Sequence, residues 1–115
     1  MKKCDIIKNN RDFDYIISKG FNVRNQEFII YYLNNETANH FGISVGKKIG
    51  NAVTRNYYKR IIREICDKNK NLYSNYKDYI IILRKGCTHL NYNEINNSFV
   101  ILINKINFKE KEKQE

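Results

Sequence analysis

The chain has 115 residues, 42% of them hydrophobic, and its 21 basic and 12 acidic side chains give a formal net charge of +9. Such a length predicts a single domain with one hydrophobic core. The longest apolar runs, Phe28–Leu33 and Tyr79–Leu83, are far shorter than the roughly 20 residues of a transmembrane helix. No signal-peptide-like apolar stretch follows the first basic residues, so we expect the protein in the cytoplasm. The three cysteines form no C-x-x-C pair and predict neither a disulfide framework nor a zinc site.

The first part of the chain predicts a helix followed by strands. Asn10 can cap a helix that runs to about Lys19, and Gly20 is a residue type that often follows a helix end. The segment Glu27–Leu33 is rich in Phe, Ile and Tyr, which favours a strand. His40–Lys47 alternates between bulky and small residues, which is the period of another strand.

For each of these two strands, the sequence does not show what packs against one of its two faces. In the first strand the two faces are equally apolar, so one of them must meet either the first helix or a cleft that the two elements line together. In the second strand the bulky set points to the core, whereas the small set lets a packed helix or a ligand approach the backbone. The small residues are Gly42, Ser44 and Gly46, and the bulky ones are Phe41, Ile43 and Val45.

The second part of the chain predicts two helices separated by a buried strand. Gly50-Asn51 can end a loop and cap a helix over about Ala52–Lys68, and the apolar run in Asp78–Arg84 favours a central strand. A last helix is predicted over about Tyr92–Asn107. We therefore predict one domain over residues 1–108, with a charged, disordered tail at 109–115. The predicted fold class is an α/β (α+β) two-layer sandwich with three helices and about four strands, in the order α-β-β-β-α-β-α.

The positive charge is concentrated in one segment. Six basic and no acidic residues lie between positions 47 and 63, and three of the chain's six arginines are among them. Four of these cations share one side of the predicted middle helix, opposite the apolar residues that would pack on a sheet, and they are Arg55, Lys59, Arg60 and Arg63. A solvated surface is the simplest interpretation, but cations without interspersed acids repel one another. Because guanidinium groups bind phosphate bidentately, we favour a polyanion, either nucleic acid or an anionic membrane.

The sequence contains no recognisable set of catalytic groups. The G-x-x-x-x-G-K-[ST] order of a phosphate-binding loop is absent, which argues against nucleotide hydrolysis. Neither His40 nor His89 belongs to a spacing typical of a metal site, and Cys87 and His89, two residues apart, do not have the form of a nucleophile and its base. We therefore predict neither catalytic residues nor metal ligands in the protein.

The segment 41–64 closely resembles the signature of the bacterial ribonuclease P protein component. It reads F-G-I-S-V-G-K-K-I-G-N-A-V-T-R-N-Y-Y-K-R-I-I-R-E and includes the pattern N-A-V-x-R-N-x-x-K-R-x-x-R. The resemblance extends over nearly the whole chain, from Asp12 and Phe13 in the first helix to the last helix. The position after Asn56 is often arginine in that family and is Tyr57 in this chain.

This resemblance implies the small protein subunit of a ribonucleoprotein that removes the 5′ leader of precursor tRNA. The implied enzyme is an endoribonuclease whose RNA carries out the hydrolysis, with Mg²⁺ held mainly by RNA and substrate. Its implied partners are ribonuclease P RNA and precursor tRNA, with neither membrane nor DNA. The implied fold contains a left-handed β-α-β crossover, which is rare. The alternative is a non-catalytic structural RNA-binding protein, such as a ribosome-associated α/β domain, which needs the same basic helix but no leader cleft.

The resemblance also assigns residues to two RNA contacts. The residues that face the catalytic RNA are Lys47, Lys48, Asn51, Arg55, Asn56, Lys59, Arg60 and Arg63. The residues of a cleft for the single-stranded leader, between the first helix and the sheet, are Phe13, Ile17, Ile29, Tyr31 and Ser44. Family members often have an aromatic residue at the position of Ile17. No catalytic residue of the protein is implied.

Overall fold

The computed structural model describes the backbone of residues 1–114 and the side chains of residues 1–3 and 5–110. This part of the chain forms three α-helices and four β-strands in the predicted order. The helices are α1 (Asn10–Lys19), α2 (Ala52–Lys68) and α3 (Tyr92–Gln114), and the strands are β1 (Phe21–Arg24), β2 (Phe28–Asn34), β3 (His40–Ser44) and β4 (Lys77–Leu83). The predicted α+β class is confirmed.

The four strands form one mixed sheet in the order β1-β2-β4-β3. Strand β2 pairs antiparallel with both β1 and β4, whereas β3 and β4 are parallel. Parallel neighbours need a crossover connection, which α2 supplies, and the resemblance predicts a left hand for this β3-α2-β4 unit. The edge strand β1 is not evident in the sequence pattern because Val23 alone among its four residues is buried.

The sheet is apolar on both faces, and different helices cover them. On one face the register aligns apolar residues of β2, β4 and β3, and α2 and α3 complete this layer as the main core. The layer includes Phe28, Ile30, Tyr32, Phe41, Tyr79, Ile81 and Leu83 of the sheet, with Ile62, Ile65, Phe99, Leu102 and Ile103 of the helices. On the other face α1 contacts β2 and β4, and Ile16 and Ile80 are buried there. Helix α1 is therefore the second partner that the doubly apolar strand requires.

The helix starts follow capping chemistry, with one correction. Asn51 caps α2 as predicted, because its side-chain oxygen accepts a hydrogen bond of 3.0 Å from the backbone N–H of Thr54. The cap of α1 is Asn9, whose side chain accepts a hydrogen bond of 2.7 Å from the N–H of Arg11, and Asn10 is instead the first helical residue. Two adjacent asparagines suit this role equally, so the sequence alone does not choose between them.

A buried ion pair holds α3 beyond its predicted end at about Asn107. Lys77 of β4 is 0% exposed, and its Nζ donates a hydrogen bond of 2.9 Å to a carboxylate oxygen of Glu110. Because a buried ammonium group requires a charged partner, Glu110 is held against the sheet and belongs to the folded domain. The structure therefore differs from the predicted disordered tail over residues 109–114, which continue the helix. Residue 115 lies outside the described residues.

Candidate nucleic-acid interface

The basic row of α2 faces away from the core. The opposite side of α2 carries four buried residues, Ile61, Ile62, Ile65 and Cys66, so the predicted amphipathic orientation of this helix is confirmed. The α2 residues assigned to the catalytic RNA are half-buried or exposed, and they are Arg55, Asn56, Lys59, Arg60 and Arg63. Lys47 and Lys48 are exposed on a short 3₁₀ turn that precedes the cap residue Asn51. Asn51 is exposed as well, so all eight residues are at least partly open to solvent.

Arg55 has an unsatisfied donor within this row. Its Nε is buried and has no hydrogen-bond partner among the residues that the structure describes. A buried donor without an acceptor costs about 1–3 kcal/mol. An anionic oxygen is the acceptor that a guanidinium group binds most strongly.

A cavity of about 580 Å³ is formed by α1, the end of β3 and α2. Phe13 and Ile17 line it from α1, Ser44 lines it from β3, and Lys59 and Arg63 line it from α2. Three residues of the predicted leader cleft and two of the predicted RNA-binding row therefore border the same space. The lining carries three cations, Lys8, Lys59 and Arg63, against the one carboxylate of Asp14. This charge, with an aromatic ring and an apolar wall, suits a single nucleic-acid strand, whose bases stack and whose phosphates attract cations.

The two remaining leader-cleft residues lie farther across the sheet. Ile29 and Tyr31 belong to β2, where both are half-buried on the face that α1 covers. The register pairs them with Ile82 and Ile80 of β4, so that β4 separates them from Ser44 of β3. They share a face of the sheet with the cavity but do not line it.

Gly42 allows α1 to approach the sheet closely. A Cβ atom at this position would lie 2.7 Å from Cζ of Phe13 and 2.7 Å from Cδ1 of Ile80. Carbon atoms without a bond between them pack at about 3.5–4.0 Å, so only the bare backbone leaves room for the ring of Phe13. The face of β3 that carries small residues could accommodate either a packed helix or a ligand. Helix α1 packs against it at Gly42, whereas Ser44 borders the cavity.

The N-terminal segment also borders the cavity, which the sequence pattern did not indicate. Ile6, Ile7 and Lys8 line it. The backbone N–H of Ile7 donates a hydrogen bond of 2.9 Å to the carbonyl oxygen of Phe41, which attaches the segment to the edge of β3. Because this contact joins positions far apart in the chain, no local periodicity could reveal it. The basic residues near the start of the chain were the one available signal.

The side chains that the structure describes offer no activated thiol. Burial raises the pKa of the Cys66 thiol, and burial followed by the charge of Glu27 raises the pKa of Cys87 to about 12. Both thiols are therefore neutral at physiological pH, and the neutral thiol is not the nucleophilic form. Among the same residues, no three His, Cys, Asp or Glu side chains form a group that could hold a metal ion. None of the described helices combines the length and the apolar character needed to cross a membrane.

Sequence comparison connects the chain to one family. The family model described as Ribonuclease P matches residues 1–107. The ribonuclease P protein component of Streptococcus agalactiae is 45% identical over 102 residues, which cover 87% of this chain and 92% of that protein. The protein of the same name from Bacillus mycoides is 42% identical over 102 residues, which cover 87% of this chain and 89% of that protein.

Solved structures give the same result. The Staphylococcus aureus RNase P protein matches with a TM-score of 0.83 and 39% identity, covering 90% of this chain and 96% of that one. The RNase P protein from Thermotoga maritima matches with a TM-score of 0.80 and 27% identity, covering 86% of this chain and 94% of that one. The chain therefore belongs to the ribonuclease P protein component family.

Proposed function

We propose that this ribonuclease P protein component binds the catalytic RNA through the basic row of α2 and the 5′ leader of precursor tRNA in the adjoining cleft. The observation that carries the proposal is the shared cavity, where Lys59 and Arg63 of the row meet Phe13 and Ser44 of the cleft. One surface can thereby contact both RNA molecules. A structural RNA-binding protein would need the basic helix alone, so the cavity favours the subunit of the processing enzyme.

The cations act by reducing repulsion where two RNA backbones converge. Each lysine or arginine that contacts a phosphate releases condensed counterions, which makes binding strong at low salt and weak at high salt. Arg55 is half-buried in this row, and its Nε has no hydrogen-bond partner within the described part of the protein. Lys59 and Arg63 stand at the boundary between the helix surface and the cleft. A leader strand in the cleft therefore meets positive charge on the side of the catalytic RNA.

In this proposal the RNA performs the chemical step, and the protein contributes binding and orientation. The described side chains do not fit a magnesium site, because they contain no group of three potential ligands. No step is therefore assigned to an ion held by the protein, and Mg²⁺ is assigned to the RNA and its substrate. We place the assembly in the cytoplasm, where free thiols such as Cys66 and Cys87 persist.

Reconstitution with ribonuclease P RNA tests the proposal. The wild-type chain should restore cleavage of precursor tRNA at a magnesium concentration at which the RNA alone is slow. The double variant Arg55→Ala with Arg60→Ala should weaken binding of the catalytic RNA by about 3 kcal/mol, because two charge-assisted contacts are lost. The dependence of log K on log salt should become less steep by about two.

The matched control is Lys105→Ala with Lys109→Ala, which removes two exposed positive charges from α3. This variant should keep the affinity and the salt dependence of the wild type. If the arginine variant supports cleavage at low magnesium as well as the wild type does, α2 does not hold the catalytic RNA and the proposal is wrong.

A further inference from the structure

An exposed tyrosine stands at the margin of the basic row of α2. Tyr57 is 50% exposed, although aromatic rings usually bury most of their surface. Its ring contacts the ring of Tyr58 edge to face, with centroids 5.4 Å apart and planes inclined by 72°. The guanidinium group of Arg60 lies over the ring of Tyr57, 5.7 Å from its centroid. Two neighbours therefore hold the ring in place while half of it remains open to solvent.

The hydrophobic core does not account for this ring. The side of α2 that packs on the sheet is filled by Ile61, Ile62 and Ile65, none of which is more than 7% exposed. Val53 lies four residues before Tyr57, on the same side of the helix, and is 79% exposed. The two side chains form a short apolar strip beside the exposed cations Arg60 and Arg63. A partner that covers this strip would remove its apolar surface from water.

An unpaired nucleobase is the partner that suits this strip. Bases of single-stranded RNA stack on tyrosine rings and on the planes of guanidinium groups, and both groups are adjacent at Tyr57 and Arg60. The surrounding cations attract the phosphates on either side of such a base. No carboxylate between residues 47 and 63 opposes this attraction.

We propose that Tyr57 and Arg60 form a stacking site for an unpaired base of the catalytic RNA. The inference rests on the proposed function and adds a base contact to a helix whose other contacts are to phosphates. Because a tyrosine ring is neutral, its contribution to binding does not depend on counterion release. The salt dependence of binding can therefore distinguish the stacking contact from the phosphate contacts of the charged residues around it.

Binding of the full chain to ribonuclease P RNA, measured over a series of salt concentrations, tests the site. Tyr57→Ala should weaken binding about tenfold at every salt concentration, as expected for the loss of one stacking ring, and should leave the slope unchanged. Tyr57→Phe keeps the ring and should bind as the wild type does. The control is Tyr76→Ala, because Tyr76 is 54% exposed but lies outside the basic row. Circular dichroism should show the wild-type spectrum for every variant.

Tyr57→Lys separates stacking from charge, because an ammonium group adds a positive charge without a planar group on which a base can stack. It should steepen the salt dependence by up to about one and should not recover the lost affinity at high salt, where charge is screened. The inference is overturned if Tyr57→Ala binds as the wild type does, if it changes the slope alone, or if Tyr76→Ala causes the same loss. It is also overturned if the loss occurs only with precursor tRNA bound to the assembled enzyme, because the base then belongs to the substrate. A wild-type chain that does not bind the RNA contradicts the proposed function and the stacking site together, whereas the other results contradict the stacking site alone.

Discussion

Glu110→Gln should destabilise the fold strongly, because it removes the charge partner of a fully buried lysine. The side chain of Lys77 is 0% exposed and that of Glu110 is 14% exposed, with 2.9 Å between Nζ and the carboxylate oxygen. Removing one member of a buried ion pair costs about 3–5 kcal/mol. Since glutamine keeps an acceptor oxygen and the position retains some contact with water, the lower end applies, about 3 kcal/mol. For a domain of this size, that loss lowers Tm by about 10 °C or more.

Urea denaturation followed by circular dichroism measures this effect. Glu64→Gln is the control, because it neutralises an exposed carboxylate on α2 and should leave the free energy of unfolding nearly unchanged. The combination Lys77→Met with Glu110→Leu replaces the pair with apolar side chains and should be more stable than Glu110→Gln alone. A free energy of unfolding for Glu110→Gln within about 0.5 kcal/mol of the wild type would refute the claim that this pair holds the end of α3.

Two further predictions concern the cleft and a buried thiol. Gly42→Ala should lower the free energy of unfolding by about 1–2 kcal/mol and weaken binding of precursor tRNA relative to mature tRNA, because the added Cβ displaces Phe13 in the assembled enzyme. Gly46→Ala is the control, because a Cβ there has no atom within 4 Å, and it should change neither stability nor tRNA binding. Equal losses of affinity for precursor and mature tRNA in the Gly42 variant would contradict the leader cleft. The pKa of Cys87 is raised to about 12, chiefly by burial, so the folded state keeps a proton that the unfolded chain releases near its ordinary pKa. The free energy of unfolding should therefore fall as pH rises from about 9 to 12. Urea denaturation at each pH should show a smaller fall for Cys87→Ala than for the wild type. An equal fall in the two proteins would contradict the raised pKa of Cys87.

Local patterns predicted most of the fold. The alternation in β3, the apolar run in β4 and the capped, amphipathic α2 all depend on residues near one another in the chain, and the structure contains each of these elements. The end of α3 could not be predicted in this way, because it depends on Glu110 reaching Lys77 from a distant part of the sequence. Lys77 itself reads as part of a polar stretch, and only the sheet around it makes it a buried residue.

The candidate site was predictable in its chemistry and less so in its geometry. The clustering of arginine in α2 indicated a polyanion, since composition and helical period are both visible in the sequence. The meeting of α1 with α2 across the end of β3 depends on tertiary packing, and so does the attachment of Ile7 to Phe41. A helical period of 3.6 residues puts Tyr57 at the boundary between the apolar and the basic side of α2, and its half-exposed ring lies beside Arg60. The exposure of a residue at such a boundary depends on the side chains that pack beside it, which the helical period does not specify.

The strand order β1-β2-β4-β3 means that the sheet cannot be completed until β4 has been synthesised. Strand β4 lies between β2 and β3, yet it is the last of the four to leave the ribosome, and α2 emerges before it. Until residues 77–83 are available, β2 and β3 have no common neighbour and α2 lacks the middle of the sheet on which it packs. The nascent chain therefore displays its RNA-attracting charge before it has the platform that orients that charge. The basic segment 47–63 can therefore attract polyanions before the domain is folded. It becomes part of a defined surface only when β4 joins the sheet.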